Sequence, residues 1–168
     1  MLKKLSFLGD LSIQHLLAGF IVFCASIILM NFLGFYWDTQ AEPCLPYKLY
    51  LRYPAGKIEK GDGVVFTAQG NVFLGRNPGI TAGKIVSGVP GDLIEISNGT
   101  LSINHHNELA LNDHVLEVIG KTKEDFNLKY TLLDDEYFVT GTNPRSFDSR
   151  YWGPIKKEWI KSKMIGIL

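Results

Sequence analysis

Cys44, Lys84 and the cluster Ser146, Asp148 and Arg150 are the side chains in this 168-residue chain whose types and settings could carry out chemistry. A thiol attacks a carbonyl once a neighbouring base takes its proton. A lysine in water, with a pKa near ~10.4, is a poor base at neutrality. Taking it out of water disfavours the ammonium form and makes it usable. Lys84 sits in the apolar run Ile80-Thr81-Ala82-Gly83-Lys84-Ile85-Val86, which could provide that setting. The same pattern more often means an exposed lysine at a strand edge. Taken alone, Ser146 reads as a turn-capping hydroxyl and Asp148-Ser149-Arg150 as a solvated turn. Cys44 has three readings: an incidental buried thiol, a nucleophile, or a lipid-attachment point. The third fits poorly, because Ala41, Glu42 and Pro43 precede it where an apolar residue belongs three places upstream.

Other chemistries are excluded more simply. The second cysteine, Cys24, lies in an apolar stretch and cannot approach Cys44, so no disulfide framework is expected. His105, His106 and His114 lie in a polar stretch without the spacing of a zinc motif and are expected in surface loops. No metal or other cofactor is expected. Gly88-Val89-Pro90-Gly91 lacks the Lys-Ser/Thr of a phosphate loop. Basic and acidic side chains balance at 17 each, so no nucleic-acid partner is expected.

The elements that must position these residues divide unevenly. Residues 16–37 carry no charged side chain over 22 positions, enough helix to span the ~30 Å hydrocarbon core of a bilayer. Phe35-Tyr36-Trp37 looks like an interfacial aromatic belt. Lys3 and Lys4 precede the segment and Asp38 and Glu42 follow it. The positive-inside rule then makes 1–15 a cytoplasmic N-terminus, 16–37 a single transmembrane helix and 38–168 an external domain. A cleavable leader ending at Thr39-Gln40-Ala41 is the competing reading, but its apolar core would be shorter. A buried helix of a soluble domain would show a polar stripe, and only Ser26 and Asn31 interrupt this segment.

After a Pro-containing link at 38–46, the remainder reads as mainly β. Strands are expected at 47–52, 63–68, 84–87, 93–96, 100–104, 137–140 and 164–168, with Asn98-Gly99 a hairpin turn. Tight turns are expected at 57–61 and 88–92, a solvated segment at 121–125, and a short helical turn within 154–161.

Three stretches resemble a known family. Lys84-Ile-Val-Ser-Gly-Val-Pro-Gly-Asp92 resembles the Lys-Arg-Val-Val-Gly-Leu-Pro-Gly-Asp box of the type I, S26-like signal peptidases. Lys60-Gly-Asp-Gly-Val-Val-Phe66 resembles the strand that precedes it there. Ser146-Phe-Asp-Ser-Arg-Tyr-Trp-Gly153 resembles the family's Ser-x-Asp-Ser-Arg-Tyr-Trp-Gly box. Cys44-Leu-Pro-Tyr-Lys-Leu-Tyr50 and Gly141-Thr-Asn-Pro-Arg-Ser-Phe-Asp148 look closest to its conjugative-transfer, TraF-type branch, with Cys where the family has Ser.

The resemblance implies an antiparallel β peptidase domain on a membrane anchor. Cys44 would attack the scissile carbonyl of a preprotein, and Lys84 would accept and later return the proton. Ser146 would orient Lys84, while Asp148 and Arg150 would hold the loop. The Cys44 N–H would serve the oxyanion; Glu42 stands where many relatives have a second, hydroxyl donor. The implied partners are a prepilin or other exported preprotein, the lipid bilayer and conjugative type IV secretion components. The implied location is the cytoplasmic (inner) membrane, with the catalytic domain on the periplasmic side. A pilin-cyclising transpeptidase and a non-catalytic scaffold of the conjugation apparatus are the alternatives.

Overall fold

A computed structural model of the chain describes residues 13–39, 43–69 and 79–168. The expected tail lysines Lys3 and Lys4, the leader-junction residues Gln40 and Ala41, and Glu42 therefore lie outside the described residues. The chain divides into two units, Met1–Gly34 and Phe35–Leu168.

The first unit carries one described helix, α1 (Ile13–Phe32), of 20 residues. Leu16, Phe20, Ile21, Val22, Phe23 and Leu29 are all more than half exposed on it, so its apolar character runs round the helix. Ser26 folds its hydroxyl onto the Val22 carbonyl at 2.8 Å, which spares a polar group that would otherwise face outward. Among the described residues, whose α1 side chains end at Leu29, no helix is long and apolar enough to cross a membrane.

The expected continuous segment 16–37 is not one element. Its helix ends at Phe32, and Gly34–Trp37 is a strand, β1. Burial alternates along it, with Tyr36 inward and Phe35 and Trp37 exposed. That period of two belongs to a strand, so the aromatic run is sheet rather than a helical interface belt.

The second unit holds two sheets. The larger also contains β2 (Leu49–Tyr53), β3 (Gly63–Thr67), β4 (Thr81–Gly88), β9 (Glu136–Thr140), β10 (Ile155–Lys156) and β11 (Ile160–Gly166). Its strand order is β1-β2-β11-β3-β4-β9-β10. The smaller contains β5 (Leu93–Ser97), β6 (Thr100–Ile103), β7 (His106–Ala110) and β8 (Leu128–Thr131), ordered β7-β6-β5-β8. Every described register is antiparallel. Each expected strand has a counterpart, and the domain is mainly β as the sequence implies.

The strands form where apolar side chains alternate with polar ones. Ile94 and Ile96 of β5 face Leu101 and Ile103 of β6, all buried, and a turn at Asn98-Gly99 fixes that register. Helix α2 (Asp113–Ile119) closes this core with Val115 and Leu116, started by the Asn112 side chain accepting from the His114 and Val115 N–H groups. His105 does lie in a turn, but His106 opens β7 and His114 lies on α2, so the two are not loop residues. Val64, Phe66, Val86 and Val139 fill the core of the larger sheet. Each such burial contributes roughly 1.5–3 kcal/mol, which holds β3, β4 and β9 rigidly enough to carry a site. The helical turn expected within 154–161 is a single 3-10 turn, Lys157–Trp159, between β10 and β11.

Asp92 locks the turn that follows β4. Its carboxylate accepts from the Val89 N–H at 2.8 Å and from Asn104 Nδ2 at 2.7 Å, and pairs with Lys60 at 2.9 Å. Burial alone would raise its pKa, but the Val89 N–H, Lys60 and Asn104 together hold it below the ordinary carboxylate value. A group depressed in the folded state stabilises above its unfolded pKa, and that stability is lost as pH falls through the lower folded pKa. Acid titration of thermal stability is expected to show this loss below about pH 4, and Asp92→Asn to flatten that part of the curve. An unchanged acid limb in the variant would remove Asp92 from the account.

Candidate active site

Three stretches far apart in sequence meet at the end of β9. Lys84 projects from β4 and is 3% exposed; Ser146, in the loop after β9, is 1% exposed. Lys84 Nζ donates to Ser146 Oγ at 2.9 Å. The exposed strand-edge alternative for Lys84 is thereby excluded. Ser146 is likewise more than a turn cap, since its hydroxyl is spent on a buried amine.

Cys44 lies in the loop between β1 and β2 and is 8% exposed. Its carbonyl accepts from the Thr142 and Asn143 N–H groups at 2.9 and 3.2 Å, and Asn143 Nδ2 donates to the Pro43 carbonyl at 3.1 Å. The loop carrying Cys44 is thus clamped onto the exit of β9. Gly141 lies at the junction: a Cβ there would collide with the Ser146 side chain and come within 2.7 Å of the Cys44 carbonyl oxygen. Absence of a side chain at Gly141 is what lets the Cys44 loop and the Lys84–Ser146 pair converge.

Asp148 and Arg150 form the frame. Both are buried, at 0% and 1% exposure. Arg150 Nε and one terminal nitrogen each donate to the Asp148 carboxylate at 2.8 Å, a bidentate fork. Burial works against the guanidinium charge, but its bonds to Asp148 outweigh burial and raise its pKa above the ordinary value. The remaining donors reach the Ser146 carbonyl at 3.0 Å and the Ala110 carbonyl of β7 at 2.7 Å. Asp148 also accepts from the Gly141 N–H at 2.9 Å and caps a short helix, α3 (Ser149–Trp152). The pair therefore fixes both ends of the loop that presents Ser146, and ties it to the smaller sheet.

The clamp residues Gly141, Thr142 and Asn143 were visible in the sequence only as part of a branch-like stretch; their contact with Cys44 spans about a hundred positions and has no local signal. Among the described residues no group of His, Cys, Asp and Glu is placed to hold a metal ion.

The site thus centres on a buried lysine bonded to a serine on an antiparallel β domain. The family model described as "Signal peptidase, peptidase S26" matches residues 12–168, and the chain belongs to that family. Its members are serine-type peptidases that act on preproteins. Among solved structures, a signal peptidase I from Enterococcus faecalis V583 is similar at 25% sequence identity, with 65% of this chain and 97% of that chain covered and a TM-score of 0.41. No curated protein sequence matches.

Proposed function

We propose that the chain is a signal-peptidase-type endopeptidase whose nucleophile is Cys44 and whose base is Lys84. The observation that carries this reading is the buried Lys84 Nζ–Ser146 Oγ bond at 2.9 Å, set against the Gly141 that also touches the Cys44 loop. Lys84 takes the thiol proton while the sulfur attacks the scissile carbonyl, with the Cys44 N–H at the developing oxyanion. The tetrahedral intermediate collapses by breaking the C–N bond, and Lys84 returns the proton to the departing amine. Water, deprotonated by Lys84, then hydrolyses the thioester. A thiol with a pKa near ~8.5 demands less of its base than a serine hydroxyl does, which favours the replacement of Ser by Cys.

The reading extends to location and substrate. Helix α1, apolar round its circumference and continued by chain to β1, supports a single-pass anchor in the cytoplasmic membrane with the β domain on the periplasmic side. A tethered enzyme would search a surface for leader junctions rather than a volume. The similarity of Cys44-Leu-Pro-Tyr-Lys-Leu-Tyr50 to the conjugative-transfer branch supports a prepilin or another exported conjugation subunit as substrate.

Intact mass spectrometry of a co-expressed prepilin tests it. Loss of the leader with the chain as it stands is expected. A product one water lighter would show ring closure by an amine instead of hydrolysis. Processing by Cys44→Ser alone would make Cys44 an inactivating residue on a working scaffold, and no processing by either would overturn the peptidase reading for that substrate.

A further inference from the structure

Among the described residues, the larger sheet is open beside Lys84. β3 pairs with β4 from Thr81 onward, but β9 pairs with β4 only from Ile85. Past Thr140 the β9 chain leaves the sheet, and Thr142 gives its N–H to the Cys44 carbonyl. Among the described residues, the edge of 81–84 opposite β3 therefore has no partner strand.

The main-chain groups on that edge can be assigned. Val86 N donates to the Asp62 carbonyl and Ala68 N to the Ile80 carbonyl, so the groups of Ala82 and Lys84 face β3. Those of Gly83 face the open edge. The Gly83 N–H donates there to the Tyr36 hydroxyl at 3.2 Å. β1 is the outermost strand on the far side of the sheet, separated from β4 by three strands, so the sheet curls until Tyr36 spans the opening. The approach is close: a Cβ on Gly83 would lie 2.9 Å from Tyr36 Cε1. The Tyr36 phenol pKa is raised by burial first, then by Asp38, with Cys44 a lesser contributor.

We propose that Tyr36 gates the peptide-binding lane: its hydroxyl occupies the Gly83 N–H that a main-chain carbonyl of an extended substrate takes over when the peptide lies along the β4 edge. This deepens the peptidase reading and rests on it. Gly83 is one residue from Lys84, so a peptide seated on that N–H is brought to the base and, through the opening bridged by Tyr36, to Cys44. Substrate binding exchanges one hydrogen bond for another at Gly83. Selection then falls to peptides whose backbone is extended over several residues, because a lone carbonyl gains nothing by displacing the phenol. Once displaced, the Tyr36 ring still covers one side of the lane.

Removing the hydroxyl while keeping the ring tests the gate. Fluorescence anisotropy would follow a labelled synthetic peptide spanning the leader junction of the co-expressed prepilin. The full chain in detergent micelles would carry Cys44→Ala to prevent turnover, with and without Tyr36→Phe. The gate predicts tighter binding in the Tyr36→Phe chain, by about three- to tenfold, the net worth of one hydrogen bond. Equal or weaker binding, or no binding by either chain, overturns it. So does an unchanged affinity accompanied by a shifted pH profile of cleavage in Tyr36→Phe with Cys44 present, which would make Tyr36 a positioning residue for Lys84. Cleavage by the unaltered chain with no change in affinity leaves the peptidase reading standing without the gate. Tighter binding without any cleavage supports the gate and removes the peptidase.

Discussion

Lys84→Ala is expected to slow leader removal on the order of 10⁴-fold, because the reaction loses both its base and its acid. The substitution also leaves the buried Ser146 hydroxyl without the amine that it accepts from. Lys84→Arg is expected to fail equally, since a guanidinium does not release its proton near neutral pH. The measurement is the rate of leader loss from purified prepilin under single-turnover conditions, alongside a melting curve for each variant. A rate within tenfold of the unaltered chain, from a protein that melts normally, would remove Lys84 from the chemistry. That outcome would favour a scaffold that binds exported subunits without cutting them.

The second large effect concerns stability rather than rate. Asp148→Ala is expected to lower the free energy of unfolding by roughly 3–5 kcal/mol, the usual consequence of leaving a buried charge without its partner. The Arg150 guanidinium would keep its bonds to the Ser146 and Ala110 carbonyls but lose both bonds to carboxylate, and the Gly141 N–H would lose its acceptor. Against the ~5–15 kcal/mol that holds a typical domain, such a loss moves the urea midpoint far enough to be unmistakable. Joint replacement of Asp148 by Leu and Arg150 by Met should recover part of the loss, because it removes the uncompensated charge. A loss of unfolding free energy in Asp148→Ala of less than about 1 kcal/mol would mean that water reaches Arg150.

What could be read from the chain beforehand depended on whether the signal was local. Asn98-Gly99 between alternating apolar residues marked the β5–β6 hairpin, and the structure has it in register. The next hairpin carried no Gly or Pro to mark it: its turn uses Asn104 and His105, both at positive φ. Phe35-Tyr36-Trp37 was misassigned because three aromatics suit an interface as well as a strand; only the sheet that accepts them decides. Helix α2 carried its signals, an Asn112 cap and a Gly120 stop, but at seven residues it is too short for a helical period to stand out. For the site, residue types alone favoured a solvated Asp148-Ser149-Arg150 turn and an exposed Lys84. Family resemblance reversed both, and burial agrees with the reversal. Tyr36 had no signal at all, since its partner Gly83 is 47 positions away.

The place of β11 has a consequence for how the enzyme comes into being. Formed by Ile160–Gly166, it lies between β2 and β3 and pairs with both. A chain delivered N-terminus first therefore presents β2 and β3 with no strand to join them until residues 160–166 arrive. Pairing across more than a hundred positions is slow, because a long loop must close before any contact rewards it. Until then the Cys44 loop is tied to the Lys84 side through the Thr142 and Asn143 bonds to the Cys44 carbonyl rather than through the sheet. β11 therefore closes the sheet behind contacts that already join the Cys44 loop to the Lys84–Ser146 pair.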